Sequence, residues 1–303
     1  MKPNNLIDYR KISNIISNDK NIVAQSTKMD FDENTYKNEL WRYSKNTWKK
    51  FKGSKASNFS MPQYSNNKKV ISYIKSTKKS KKITMSSLCI QSGNSITTVF
   101  ETEDTIQNYY WASKDNFIYI VTKEWDKSFK SIDDKEMEPL YLENIPYRFD
   151  TRGIIFNKRN HIYKVNVSNQ KSSKIIDGDK EGFISIGSIV EKGSSLYFTA
   201  SSYNESGSML DEKIIKKTGN KLVTIHTEGM WGKLFIFNNE LHGIGLNKRF
   251  EWPTNISIHQ IKDTGKTSVL YQDLDRPITN VKCIDSFMYI LYEDSGKQLL
   301  GKG

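Results

Sequence analysis

The side chains with the chemistry for catalysis or metal binding are few: four histidines and two cysteines in 303 residues, with one acidic cluster. Ser-His-acid catalysis needs a histidine to take the nucleophile's proton and a carboxylate to orient that histidine. His161, His226, His242 and His259 each lie in or beside a strand-like run, where a ring normally faces a neighbouring sheet, and they read as structural residues. The G-x-S-x-G pattern, which exposes a nucleophilic serine on a strand–turn–helix elbow, does not occur; GNSIT, GFISIG and EKGSSLY miss its spacing or its context. Nor is there an HGG-type oxyanion loop. Cys89 and Cys283 sit inside apolar strand-like runs and read as small buried hydrophobes, and no Cys/His cluster has zinc-ligand spacing. Asp133, Asp134, Glu136 and Glu138 offer the oxygen ligands of a hard-cation site, but with lysines among them they read as a solvated loop tip. No catalytic residue, metal site or cofactor is expected within the chain.

Two arginines are sharper candidates. The guanidinium is a rigid fork that takes a carboxylate in two parallel hydrogen bonds, which suits a peptide terminus. Arg148 and Arg152 lie with Tyr147 in a stretch that also holds Trp125, Phe129, Tyr141, Phe149 and Phe156. These three residues could line a substrate channel or a domain interface; the competing reading pairs the arginines with Asp150 or Glu143.

The charge balance is basic, with 46 Lys and Arg against 34 Asp and Glu, a formal net charge of +12. Such an excess can drive phosphate-backbone binding. The lysines are scattered, however, and the densest run, KSTKKSKK at residues 75–82, falls between two strand-like segments and reads as a solvated hairpin turn. Nucleic acid is therefore the least favoured partner. No run of eighteen apolar residues exists, so no membrane-spanning helix is expected. The opening MKPNNLIDYRK lacks the apolar segment of a secretory signal, and a cytoplasmic location is expected.

Strands must position whatever site exists, because strand signals recur along the whole chain. Six β-branched and aromatic runs stand out: NIVAQSTK, VISYIKST, FIYIVTKE, SLYFTASS, ELHGIGLN and FMYILYED. Their spacing is roughly 45–50 residues with one longer gap, which is the period of propeller blades. Two further strands follow each well-formed run, split by QSGN, GN or KDTGK, turns in which Gly and Asn accept positive φ cheaply. The pattern predicts an all-β fold: a β-propeller of four-stranded antiparallel blades, about six of them recognisable, forming one domain over residues 1–303. The long gap is an insertion in the third unit at about residues 125–160. The sixth unit lacks a fourth strand. Either NNLIDYRKI supplies it, or the chain is part of a longer protein.

Two stretches carry a family resemblance. IISNDKNIVAQSTKMDFDENTYKNELWRY resembles the first propeller blade of the prolyl oligopeptidase family, and most of all its acylaminoacyl-peptidase branch. IPYRFDTRGIIFNKRNHIYKVNVSNQKSSKIIDGD resembles that branch's insertion, with Pro146, Tyr147, Arg148, Gly153, His161, Gly178 and Asp179 at corresponding positions. The usual Pro-Asp-Gly turn is replaced by Ser-Asn-Asp-Lys or Ser-Asn-Asn-Lys, and the family's propeller usually has seven blades. The resemblance implies a serine peptidase whose α/β-hydrolase domain, absent from this chain, holds the nucleophile while the propeller gates access by short peptides. The alternatives are a free-standing protein-interaction scaffold and, more weakly, a nucleic-acid-binding propeller. The oligomeric state stays open. In DFDENTYKNELWRY, the charged residues read as a solvated loop, and Leu40, Trp41 and Tyr43 as part of the strand that follows.

Overall fold

The computed structural model describes residues 9–54, 56–80, 83–125, 145, 148–149, 153–155, 158–207, 210–248 and 254–303. These residues form six antiparallel sheets and one two-stranded hairpin. The first sheet is β1 (Arg10–Ser17), β2 (Ile22–Asp30), β3 (Thr35–Ser44) and β4 (Thr47–Lys52). The second is β5 (Ser57–Tyr64), β6 (Ile71–Lys78), β7 (Thr84–Ser92) and β8 (Ser95–Thr102). The third begins with β9 (Thr105–Trp111) and β10 (Phe117–Trp125). The hairpin β11 (Arg148–Phe149) and β12 (Gly153–Ile154) comes next, before the sheet resumes with β13 (Lys158–Asn166) and β14 (Ser172–Ile176). A one-turn helix, α1 (Gly178–Glu181), precedes the fourth sheet of β15 (Ser185–Lys192), β16 (Ser195–Tyr203), β17 (Leu210–Thr218) and β18 (Lys221–His226). The fifth holds β19 (Met230–Phe237), β20 (Glu240–Leu246), β21 (Ser257–Ile261) and β22 (Thr267–Leu270). The sixth has three strands among the described residues: β23 (Ile278–Ile284), β24 (Phe287–Asp294) and β25 (Lys297–Lys302).

The six periodic runs are β2, β6, β10, β16, β20 and β24, the second strand of every sheet. Their position explains their composition. A second strand has partners on both edges, and in β2, β6, β10, β16 and β20 consecutive residues are buried, so it reads as an apolar run rather than an alternating one; β24 of the last sheet alternates, with Met288 and Ile290 buried and Phe287 exposed. In β6, Tyr73 packs toward the first sheet with Val23, Leu40, Phe59, Ile71 and Cys89, while its neighbour Ile74 packs toward the third sheet with Leu88, Ile106, Tyr109 and Ile118. The fifth sheet is covered in the same way. Trp231, Leu234, Leu241 and Ile261 meet Tyr197, Ile214 and Ile225 of the fourth sheet, and Phe235, Ile244 and Ile258 meet Ile278, Val281, Met288 and Ile290 of the sixth. Face-to-face stacking of consecutive small antiparallel sheets is how propeller blades are built. A register shift also recurs between the first and second strands of all six sheets, for example between Ser13 and Ile16 and between Ser60 and Gln63. Such bulges sharpen the twist of a blade.

The contacts divide the chain into two compact units, residues 1–132 with 161–176, and residues 133–160 with 177–303. The first holds the first two sheets and most of the third. The second holds the hairpin β11–β12 and sheets four to six. The predicted turns appear where expected: Gly93, Gly219 and Gly265 have φ of 57°, 56° and 82°.

Three expectations need correction. The tail of NNLIDYRKI does not extend the sixth sheet, because Arg10–Ile12 pair with Lys28–Ser26 inside the first; residues 1–8 lie outside the described residues. The charged stretch DFDENTYKNELWRY is a four-residue turn at 31–34 and then strand, with Leu40 fully buried, and its Glu39 is buried rather than solvated. Cys89 is buried, but Cys283 is only half-buried.

Candidate functional site

The insertion is the feature that interrupts the repeat, so its attachment to the third sheet is the first place to look for a site. It leaves after β10 and returns at β13, the sheet's second and third strands. The described part of the insertion includes the β11–β12 hairpin, in which Arg148 pairs with Ile154 and Phe149 with Gly153. Arg148 is exposed. Tyr147 and Arg152 lie outside the described residues, as do Asp150, Glu143 and the cluster Asp133, Asp134, Glu136 and Glu138. Of the three residues expected to line a channel or interface, the structure thus places one, on an exposed two-residue strand.

At the root, β13 starts with buried polar groups: Lys158, Asn160 and His161 are each no more than 1% exposed. Within the first unit, His161 Nε2 lies 3.0 Å from a carboxylate oxygen of Glu124, on the neighbouring strand β10. Within the second unit, the Asn160 amide donates to the Phe183 carbonyl at 2.9 Å. Gly178, which opens α1, lies so close that a Cβ there would run into the Asn160 carbonyl oxygen. Asp177 caps this turn by accepting from the Asp179 amide, and Gly182 ends it at φ 68°. His161 and Gly178, two of the positions that carried the family resemblance, thus serve the attachment of the insertion. Neither is placed as a nucleophile's partner.

The other histidines are engaged in packing and in backbone bonds. His226 has both ring nitrogens 3.2 Å from carbonyl oxygens, those of Gly265 and Asn247, and it packs edge-on against Trp231. His259 meets the same indole, edge-on at 5.3 Å. Trp231 is a core residue, at 4% exposure. Room for it comes from ELHGIGLN, since a Cβ on Gly243 would stand 2.8 Å from its ring. His242 stacks on Phe235 at 5.4 Å, and burial pushes its pKa below the ordinary imidazole value.

His242 also borders a cleft among the described residues. This cleft of about 310 Å³ lies between the fifth and sixth sheets and is lined by Phe237, Glu240, His242, Gln260, Tyr271 and Met288, among others. It combines aromatic walls with a carboxylate, already approached by Lys192 at 3.4 Å. Sequence reasoning did not find it, because its walls come from hairpin ends that carry no shared motif.

An ion cluster around a buried carboxylate also escaped the sequence. Glu39 on β3 accepts from Lys50 Nζ at 2.6 Å, Arg10 Nη1 at 3.0 Å and Trp41 Nε1 at 3.2 Å. Burial alone would raise its pKa, but these three donors and the Lys50 charge hold the carboxyl below its ordinary range. The alternating spacing of Glu39 and Trp41, on one face of β3, was the available signal.

No helix among the described residues is long and apolar enough to cross a membrane. No family model and no curated protein matches the sequence. Solved structures do match. The acylaminoacyl peptidase of Pyrococcus horikoshii aligns with 98% of this chain and 45% of its own, at 12% identity and a TM-score of 0.73. A puromycin-hydrolyzing peptidase of Mycobacterium tuberculosis gives the same coverages at 9% identity and a TM-score of 0.63. The β-propeller domain of the trilobed protease from Pyrococcus furiosus aligns over 98% of this chain and 82% of its own, at 12% identity and a TM-score of 0.66. This chain spans less than half the length of the two whole peptidases. The chain has the β-propeller fold found in acylaminoacyl peptidases and their relatives.

Proposed function

We propose that this chain is the propeller portion of an acylaminoacyl-peptidase-like serine peptidase, which packs on an α/β-hydrolase domain of the same polypeptide and gates the entry of short peptides in the cytoplasm. The observation that carries this reading is the alignment of 98% of the chain with 45% of an acylaminoacyl peptidase, the share a propeller occupies beside a second domain. The missing G-x-S-x-G agrees with it, since the nucleophile would then belong to the hydrolase domain and the chain alone would be inactive. Arg148, with Arg152 and Tyr147, is assigned to the substrate channel or the domain interface, where an arginine fork recognises a peptide carboxylate.

Intact-mass measurement of the native polypeptide, with fluorophosphonate labelling, tests the reading. A mass about twice 35.1 kDa with a labelled serine is the expected result. A native mass near 35.1 kDa without labelling overturns it in favour of a free-standing interaction scaffold. In the unlabelled full-length enzyme, Arg148→Ala and Arg152→Ala should raise KM for short peptides; unchanged turnover at all substrate concentrations removes the channel assignment.

A further inference from the structure

The first and second sheets face each other through an apolar inner zone and a cationic outer one. Leu40 and Arg42 point from the same face of β3, because alternate residues of a strand share a face. Leu40 enters the apolar cluster with Tyr73 and Cys89, while the Arg42 guanidinium lies over the Phe51 ring at 4.0 Å from its centroid. Lys52 Nζ reaches the same place, 5.1 Å from the Phe51 centroid and 5.8 Å from that of Tyr73. Tyr64 borders the group, close enough for Arg42 to act on its hydroxyl. Lys75 approaches from β6, where its charge is felt at the Cys89 thiol.

These cations have no acid. Arg42 and Lys52 make no ion pair or side-chain hydrogen bond among the described residues, and the Arg42 Nε is buried without a partner. Glu39 points from the opposite face of β3 and is already engaged by Arg10, Lys50 and Trp41. Glu101 accepts from Ser87 Oγ at 2.9 Å. The Tyr73 side chain is 1% exposed, yet its hydroxyl has no hydrogen-bond partner among the described residues, and neither has that of Tyr64. Burial disfavours the Lys52 charge, and Arg42 beside it disfavours it further. A buried Arg42 Nε without an acceptor, beside a second cation, is costly to leave so unless an oxygen reaches it.

We propose that Arg42, Lys52, Tyr64 and Tyr73 form an anion-binding site between the first and second sheets, and that it takes a phosphate-type oxyanion. A guanidinium fork, an ammonium and two phenols match the three or four outward oxygens of a tetrahedral dianion better than the two oxygens of a carboxylate. The site is independent of peptidase chemistry and needs no second domain.

Calorimetric titration of the full chain with inorganic phosphate at neutral pH tests it, with acetate and chloride at matched ionic strength as controls. Saturable phosphate binding is expected, weakened about tenfold or more by Arg42→Gln or Lys52→Met. Each variant keeps the aliphatic stem and relieves cation repulsion, so its Tm in phosphate-free buffer should stay level or rise. Tyr73→Phe should weaken phosphate several-fold without lowering that Tm, which separates a lost ligand from a lost fold. A parallel titration with glycerol phosphate identifies the source: tighter binding than inorganic phosphate points to the phosphoryl group of a larger molecule, weaker binding to free phosphate. No saturable binding at tens of millimolar phosphate, equal response to acetate, or undiminished binding in all three variants overturns the site.

Discussion

Glu39→Gln is the sharpest test of the energetics, because the side chain keeps its shape and loses only its charge. The Glu39 side chain is 9% exposed and is held by two cations and an indole N–H. Removing one partner of a fully buried ion pair costs about 3–5 kcal/mol. Here the Arg10 and Lys50 side chains are 38% and 48% exposed, so the abandoned cations recover much of their hydration. The glutamine oxygen also still accepts one bond. The expected loss is therefore about 2 kcal/mol, and with a urea slope near ~2 kcal/mol/M the unfolding midpoint of the first unit should fall by about 1 M.

The pH dependence gives this number a sign. Burial would push the Glu39 carboxyl up, but the donors from Lys50, Trp41 and Arg10 hold it below its unfolded value of 4.5. A carboxyl depressed in the folded state contributes stability that is fully present above the unfolded pKa and is lost as pH falls through the folded one. The gap between wild type and Glu39→Gln should therefore be full at neutral pH, shrink below pH 4.5 and close once Glu39 is protonated. Urea unfolding followed by circular dichroism at about pH 7 and about pH 3 measures both ends. An equal gap at the two pH values, or an unchanged midpoint at neutral pH, refutes the reasoning. Adding Lys50→Met should cost less in the glutamine background than in wild type, since the pair is already broken.

Gly178→Ala should cost about 2–3 kcal/mol and lower Tm by several degrees, because its new Cβ meets the Asn160 carbonyl and only a backbone shift relieves it. Gly93→Ala, at φ 57° with open space around it, should cost only about 1 kcal/mol, and equal losses at the two glycines would contradict the close approach. Burial raises both thiols above their ordinary pKa, so iodoacetamide at mildly alkaline pH should leave Cys89 unmodified until unfolding and should label half-buried Cys283 more slowly than a small free thiol. Peptide mass spectrometry over time decides this; labelling of Cys89 at the free-thiol rate would place it outside the core.

The fold was legible because one strand per blade is buried on both faces. Such a strand carries several consecutive β-branched, aromatic or small residues, so NIVAQSTK, VISYIKST and their counterparts mark the repeat even where neighbouring strands are weak, although FMYILYED in the last sheet is buried on one face only. Gly-containing turns fixed the hairpins because positive φ restricts the choice of residue. Charge was read less well, and Glu39 shows why. In the stretch DENTYKNELWRY a carboxylate looks solvated, yet its fate depends on Arg10 and Lys50, which are 29 and 11 residues away and become neighbours only through the β1–β2–β3–β4 pairing. The same pairing turns Arg42, three residues further on, toward the opposite face and the second sheet. Composition alone shows an excess of positive charge, +12, spread over scattered lysines. Side-chain alternation along β3 separates those charges into two kinds. Glu39, Arg10 and Lys50 satisfy one another on one face, while Arg42 and Lys52 on the other face have only aromatic rings and unbonded phenols for company. A sequence lists both kinds identically. Only the sheet decides which cations are already neutralised and which still need an anion.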